Sequence, residues 1–118
     1  MTDKPSDTDK ITIQKIIGYC NQIEHMRNKF GDTFEDYISD LVFQFSSSMF
    51  ILQIGELATQ ISEDFKNQHS EIDWNQIKSF CNIHDKDYEN MRFDVIWEIL
   101  TEDIPALKKS LQTILEVM

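Results

Sequence analysis

The segment CNIHDKDYEN, residues 81 to 90, concentrates thiol, imidazole, carboxylate, ammonium and phenol side chains in one short stretch. On an unbroken helix, Cys81, His84, Asp85 and Tyr88 would share a face. A neighbouring carboxylate could then orient His84 as a general base at neutral pH. A solvated polar face with one incidental histidine fits the same residues, so spacing alone leaves both interpretations open.

The same segment contains candidate zinc ligands and a candidate thiol nucleophile. Cys81 and His84 are both zinc ligands by type, but a structural zinc site needs four ligands. No second Cys/His pair lies at a suitable spacing, and His25 and His69 are isolated. A cysteine nucleophile would need a base and an oxyanion hole, and neither is identifiable. The sequence therefore predicts no metal site and no cofactor.

Composition limits the classes of protein that fit. The 118 residues, 41% of them hydrophobic, predict one folded domain over residues 9–118 after a disordered tail, residues 1–8. A net charge of −10 argues against DNA and against broad nucleic-acid binding, but not against a local phosphate site. Two cysteines, no apolar leader and no uninterrupted apolar run of about 18 residues predict a cytoplasmic protein without a membrane span.

Helical periodicity dominates the first half of the chain. A helix is predicted from Asp9 to a stop at Gly31. A longer helix is predicted to begin between Thr33 and Asp40 and to run to about Phe65, with more apolar surface than one buried face requires. Its main stripe consists of Phe34, Ile38, Leu41, Phe45, Met49, Leu52, Leu57, Ile61 and Phe65. The excess indicates packing on a second subunit, and a central helix of a monomeric bundle explains it equally well.

Two adjacent residues of that helix are unusual. Gly55 costs about 1 kcal/mol relative to alanine in a helix, which predicts close approach by another backbone. Glu56 is interpreted as solvent-exposed, with a buried, partnered carboxylate as the alternative.

The second half adds shorter elements. Residues 66–72 are predicted to form a loop, and Asp73 with Gln76 is typical of a capping box. Asp94 is predicted to cap the final helix, and Pro105 predicts a kink or a new start within it. The final near-heptad stripe consists of Trp97, Leu100, Ile104, Leu107, Leu111, Ile114 and Met118. Together these elements predict an all-α, up-and-down bundle of four or five helices.

Four sequence segments carry a resemblance over residues 9–115. They are QIGEL at 53–57, IDWNQIKSFCN at 72–82, KDYEN at 86–90 and DVIWEILTEDIPAL at 94–107. In order and spacing the chain resembles the HepT-like proteins of the HEPN superfamily. The resemblance implies a homodimeric helical bundle that cleaves RNA without metal through an R-x(4)-H-x-Y motif. It also implies a minimal nucleotidyltransferase as antitoxin partner, which attaches AMP to the motif tyrosine.

The family motif maps onto this chain with two departures. Its tyrosine falls on Tyr88, and Asn82 matches the residue after the arginine. The arginine itself falls on Cys81 and the histidine on Lys86, while His84 lies two residues too early. A cysteine lacks the bidentate phosphate grip of arginine, and a lysine stays protonated at a pH where histidine exchanges protons.

These departures predict a weak or inactive ribonuclease that serves as the dimeric binding partner of a nucleotidyltransferase, because losing acid–base catalysis costs about 10²–10⁴-fold in rate. The alternative is an active metal-independent endoribonuclease in which His84 or Lys86 substitutes for the missing groups. A structural dimer without either role is the third hypothesis.

Overall fold

The computed structural model describes residues 5–82 and 92–118 and is helical throughout those ranges, apart from the connecting turns. The elements are α1 (Pro5–Phe30), α2 (Phe34–Ile38), α3 (Leu41–Ala58), α4 (Glu63–Gln68), α5 (Trp74–Ser79), a 3₁₀ turn (Phe80–Asn82), α6 (Phe93–Glu98), a π-helical turn (Ile99–Asp103) and α7 (Ile104–Glu116). No β-strand occurs in the described ranges. The predicted all-α bundle is confirmed, although turns divide it into more and shorter helices than expected.

Helix α1 starts at Pro5 rather than at the predicted Asp9. Proline is compatible with a first helical turn, because its missing N–H would have no partner there. Asp9 has the residue type of a helix cap, but its buried carboxylate serves another helix. It accepts hydrogen bonds from the backbone N–H of Ser62 at 3.0 Å and from the Ser62 hydroxyl at 2.7 Å. The predicted stop is confirmed at Gly31, whose φ of 124° favours glycine.

The predicted helix from residues 33–40 to Phe65 is in fact three helices. Asp40 caps α3 by accepting hydrogen bonds from the backbone N–H groups of Val42 and Phe43. Ser62 caps α4 in the same way with Phe65. Each cap satisfies N–H groups that a continuous helix would bond internally, so the helix restarts at each one. The prediction of a loop over residues 66–72 was therefore wrong as far as Gln68, where α4 ends.

Helix α3 packs against α1. Its fully buried apolar residues include Phe43, Ile51 and Ile54. Four apolar residues in its first half, Leu41, Val42, Phe45 and Met49, are 46–61% exposed. We call these four the outer face of α3. The prediction of more apolar surface than one buried face requires is confirmed.

By length and composition alone, α3 would be able to cross a membrane, with a mean hydropathy of 1.3 over Leu41–Ala58. However, 44% of that window is buried inside the protein. Helices at the centre of a bundle have the same composition, so this property does not indicate a membrane span.

The π-helical turn joins α6 to α7, and α7 packs against α1. Asp94 was wrongly predicted as the cap: it lies in the first turn of α6, where its carboxylate accepts hydrogen bonds from the Arg92 guanidinium. Pro105 lies in the first turn of α7, directly after the π turn. Arg27 of α1 donates to the Leu100 carbonyl in that turn at 3.3 Å. The predicted stripe is buried from Leu100 to Ile114.

Candidate functional site

The 3₁₀ turn that carries residue 81 is placed by α5. Asp73 caps α5 by accepting a hydrogen bond from the Gln76 N–H at 3.0 Å, as predicted. Trp74 and Ile77 bury the inner side of the helix, and Phe80 anchors the turn in the core. Phe80, and not Cys81, therefore completes the apolar side of α5. Cys81 is half-buried and Asn82 is exposed at the end of the turn.

Gly55 brings α3 into direct contact with this turn. A Cβ atom at residue 55 would lie 2.8 Å from the backbone nitrogen of Cys81 and 3.0 Å from its Sγ. Real Cβ atoms do not approach backbone so closely, so only glycine allows this packing. The close backbone approach predicted from Gly55 is confirmed, and the backbone it meets belongs to residue 81.

Glu56 follows Gly55 and lies beside the Cys81 side chain. It is exposed, as predicted, and it also accepts a hydrogen bond from the Cys81 thiol. Burial raises the pKa of Cys81, the Glu56 carboxylate raises it further, and Lys78 has a smaller opposing effect. The thiol therefore stays protonated at neutral pH and is a poor nucleophile.

A polar groove of about 410 Å³ opens beside this contact, between the end of α3 and the α5–3₁₀ segment. We call it the residue-81 groove. Its lining consists of Glu56, Thr59, Asn75, Lys78, Ser79, Cys81 and Asn82. It combines one carboxylate, one ammonium group and two amides, a set that suits a polar ligand with both donors and acceptors.

The structure brings together two of the predicted site residues, Cys81 and Asn82. His84, Lys86 and Tyr88 lie outside the described residues, so their roles stay predictions from the sequence. The sequence reasoning did not include Lys78 or Asn75, and it did not connect Glu56 to residue 81. A signal for Lys78 existed, since it precedes Cys81 by three residues and such pairs are neighbours on a helix.

The remaining chemistry of the described ranges is limited. No group of three or more His, Cys, Asp or Glu side chains there could hold a metal ion. Cys20 is fully buried on α1, and burial raises its pKa to about 12. Its thiol is therefore a core side chain without reactivity at neutral pH.

The family model described as "Ribonuclease HepT-like" matches residues 11–114. A protein of Thermococcus cleftensis named "Probable ribonuclease HepT" is 35% identical over 75 residues, covering 64% of this chain and 68% of its own length. A candidate RNase of Caldanaerobacter subterraneus subsp. tengcongensis is 28% identical over 86 residues, covering 73% and 77% respectively. A candidate RNase of Methanocaldococcus jannaschii is 22% identical over 81 residues, covering 69% and 74%.

No solved structure matches the protein. The family match includes α3, α5 and the 3₁₀ turn, and thus the contact between Gly55 and Cys81. The match and the ribonuclease names of the relatives support a ribonuclease-like function at the level of the family. The chain belongs to the HepT-like ribonuclease family.

Proposed function

We propose that this protein is the HepT-like member of a toxin–antitoxin type pair, and that it acts in the cytoplasm as a dimeric binding partner of a minimal nucleotidyltransferase with weak or no ribonuclease activity. The observation that carries the proposal is the environment of Cys81. A neutral thiol, hydrogen-bonded to the Glu56 carboxylate, occupies the position onto which the family arginine maps. Neither group attracts a phosphodiester, whereas a guanidinium binds one through two parallel hydrogen bonds.

The outer face of α3 supports a homodimer. Its four large apolar side chains follow one another along the helix and are 46–61% exposed. Exposed apolar patches of this kind mark association surfaces in many proteins. On the same side of α3, Glu56 follows Met49 by seven residues, about 10 Å along the axis. In a dimer that pairs the two outer faces, the residue-81 groove of each subunit would therefore lie close to the other subunit.

Partnership with a nucleotidyltransferase rests on the family resemblance and on Tyr88. Co-expression with a minimal nucleotidyltransferase should give a stable complex. Incubation with ATP and Mg²⁺ should add the mass of one AMP to the wild type but not to Tyr88→Phe. No complex and no added mass would contradict the proposed partnership.

Ribonuclease activity is tested with the purified protein in EDTA. We expect little RNA cleavage by the wild type and a clear gain in the double variant Cys81→Arg, Lys86→His. Each single variant is the matched control, because both groups belong to one motif. Strong cleavage by the wild type that His84→Ala or Lys86→Ala abolishes would instead establish the alternative, an active endoribonuclease with substituted site residues.

A further inference from the structure

A second cleft opens between α5 on one side and the π-helical turn and α7 on the other. We call it the α5–α7 cleft, and its volume is about 230 Å³. Ile72, Ile77, Phe80 and Leu107 line it, and each is at most 7% exposed. The described residues that line it differ from those of the residue-81 groove. The cleft is therefore a separate feature with an apolar floor.

The charged groups among the described lining residues are all carboxylates, and they belong to Glu71, Asp73 and Asp103. Asp73 caps α5 through one of its oxygens, and Glu71 lies 3.7 Å from the imidazole of His69. None of the ion pairs in the described ranges includes Asp73 or Asp103. The described lining thus carries negative charge without a lysine or an arginine to neutralise it.

Asp103 is half-buried, whereas the other two carboxylates are exposed. It accepts a hydrogen bond from Gln76 on the opposite wall of the cleft. Burial raises the pKa of Asp103, and the carboxylates of Glu98 and Glu102 raise it further. A cation beside Asp103 would offset the repulsion among these carboxylates, so the cleft favours a positively charged occupant.

We propose that the α5–α7 cleft is a docking site for a partner protein and that it binds one arginine side chain from a basic segment of that partner. The guanidinium would pair with the carboxylate of Asp103, with Asp73 at the rim. The aliphatic part of the arginine would lie against Ile77 and Leu107. The inference goes beyond the proposed function, since the described motif positions line the other groove.

Size, shape and charge favour an arginine side chain over other occupants. The volume of about 230 Å³ is below the range of roughly 300–1,000 Å³ typical of small-molecule pockets, so the cleft suits a single side chain. An arginine covers apolar surface with its stem and binds a carboxylate through two parallel hydrogen bonds. It is also more weakly hydrated than a lysine and is enriched at protein interfaces. A net charge of −10 on the whole chain further favours a basic partner.

The test uses this chain alone and a blocked pentapeptide, acetyl-Gly-Ser-Arg-Ser-Gly-amide. The matched probe replaces the arginine with citrulline, which has the same shape without the charge. Titration followed by ¹H–¹⁵N NMR should shift the side-chain amide signals of Gln76 and the backbone signals of residues 73–80 and 103–110. The arginine peptide should bind about tenfold more tightly than the citrulline peptide, as expected for hydrogen bonds between charged groups. Asp103→Asn should remove most of that difference.

Further variants distinguish docking in the cleft from a general attraction to an acidic chain. Ala106→Lys places an ammonium group at an exposed position of the cleft lining and should abolish binding, whereas Ala106→Gln should retain it. Glu116→Gln removes an exposed carboxylate elsewhere on α7 and should leave the affinity unchanged. Circular dichroism checks that each variant is folded.

Three results would overturn the inference: equal binding of the two peptides, an unchanged affinity in Asp103→Asn, or shifts confined to the residue-81 groove. The absence of any binding at millimolar concentration would do the same. Tighter binding of free spermidine than of the arginine peptide would assign the cleft to a small polyamine instead of a protein. None of these outcomes depends on a nucleotidyltransferase or on RNA cleavage, so the proposed function is tested separately.

Discussion

The two halves of α3 distribute polar and apolar residues in opposite ways. In the first half, the outward side carries Leu41, Phe45 and Met49, while Gln44 and Ser47 are buried. In the second half, Ile51, Ile54 and Gly55 are buried, and Glu56 is exposed. The second half follows the usual rule for a helix in a soluble bundle, and the first half inverts it in part, since Phe43 is buried together with the polar Gln44 and Ser47.

The inversion is possible because the buried polar groups have partners. Ser47 donates its hydroxyl to the Phe43 carbonyl at 2.6 Å, and the Gln44 amide donates to the carbonyls of Tyr37 and Ile38 at 3.1 and 2.8 Å. A hydrogen-bonded polar group costs far less to bury than an unpaired one. The first half of α3 therefore exposes apolar side chains and buries hydrogen-bonded polar ones, whereas the second half buries the residues that pack against other elements.

The largest expected effect distinguishes the inner and outer sides of α3. Ile51→Ala should lower the free energy of unfolding by about 2–5 kcal/mol, because it leaves a cavity in the core. Phe45→Ala should cost less than about 1 kcal/mol in dilute protein, since an exposed side chain leaves no cavity. Urea denaturation monitored by circular dichroism measures both. Equal losses would mean that the outer face is packed within the monomer.

A charge on the outer face should break the homodimer. Phe45→Glu should raise the dimer dissociation constant about a hundredfold, because association would bury an unpaired carboxylate. Sedimentation equilibrium measures the constant. Lys109→Glu, an exposed substitution on α7, serves as the control and should leave it unchanged. A dimer of Phe45→Glu as tight as the wild type would move the interface away from α3.

The contact at Gly55 predicts a smaller effect of definite sign. Gly55→Ala should destabilise the protein by about 1–2 kcal/mol, because overpacking against the Cys81 backbone outweighs the gain of about 1 kcal/mol in helix propensity. Gly18→Ala in α1 is the matched control. A Cβ there meets no atom within 4 Å, so that variant should be stabilised by up to about 1 kcal/mol. Thermal denaturation distinguishes the two glycines, and stabilisation of both would disprove the close contact.

The smallest effect concerns the thiol itself. The Glu56 carboxylate raises the pKa of Cys81, so Glu56→Gln should lower that pKa and increase the thiolate fraction. Alkylation by iodoacetamide at pH 8 should therefore become faster, because the thiolate is the reactive form of the side chain. Mass spectrometry of the Cys81 peptide measures the rate, and Glu116→Gln should leave it unchanged. An unaltered rate would show that Glu56 does not contact the sulfur.

Local signals in the sequence predicted part of the site. The Asp73 cap, the glycine stop at Gly31 and the close approach at Gly55 were all correct, because each depends on one residue type and the backbone around it. The helix start at Asp9 and the cap role of Asp94 were wrong for the opposite reason. The partners of these carboxylates do not follow from local spacing. Asp9 accepts from Ser62, 53 residues away, and Asp94 accepts from the side chain of Arg92.

The sequence by itself determined the helical class and the family, because residue types, periods and spacings are properties of the chain. Only the tertiary structure decided which side of α3 is buried and that Gly55, Glu56 and Lys78 surround residue 81. An apolar period indicates that a face is suited to burial but not what covers it. The side of α3 that is buried is set by the packing of α1 on α3 and of the 3₁₀ turn on Gly55. Each of these contacts joins segments that are distant in the chain.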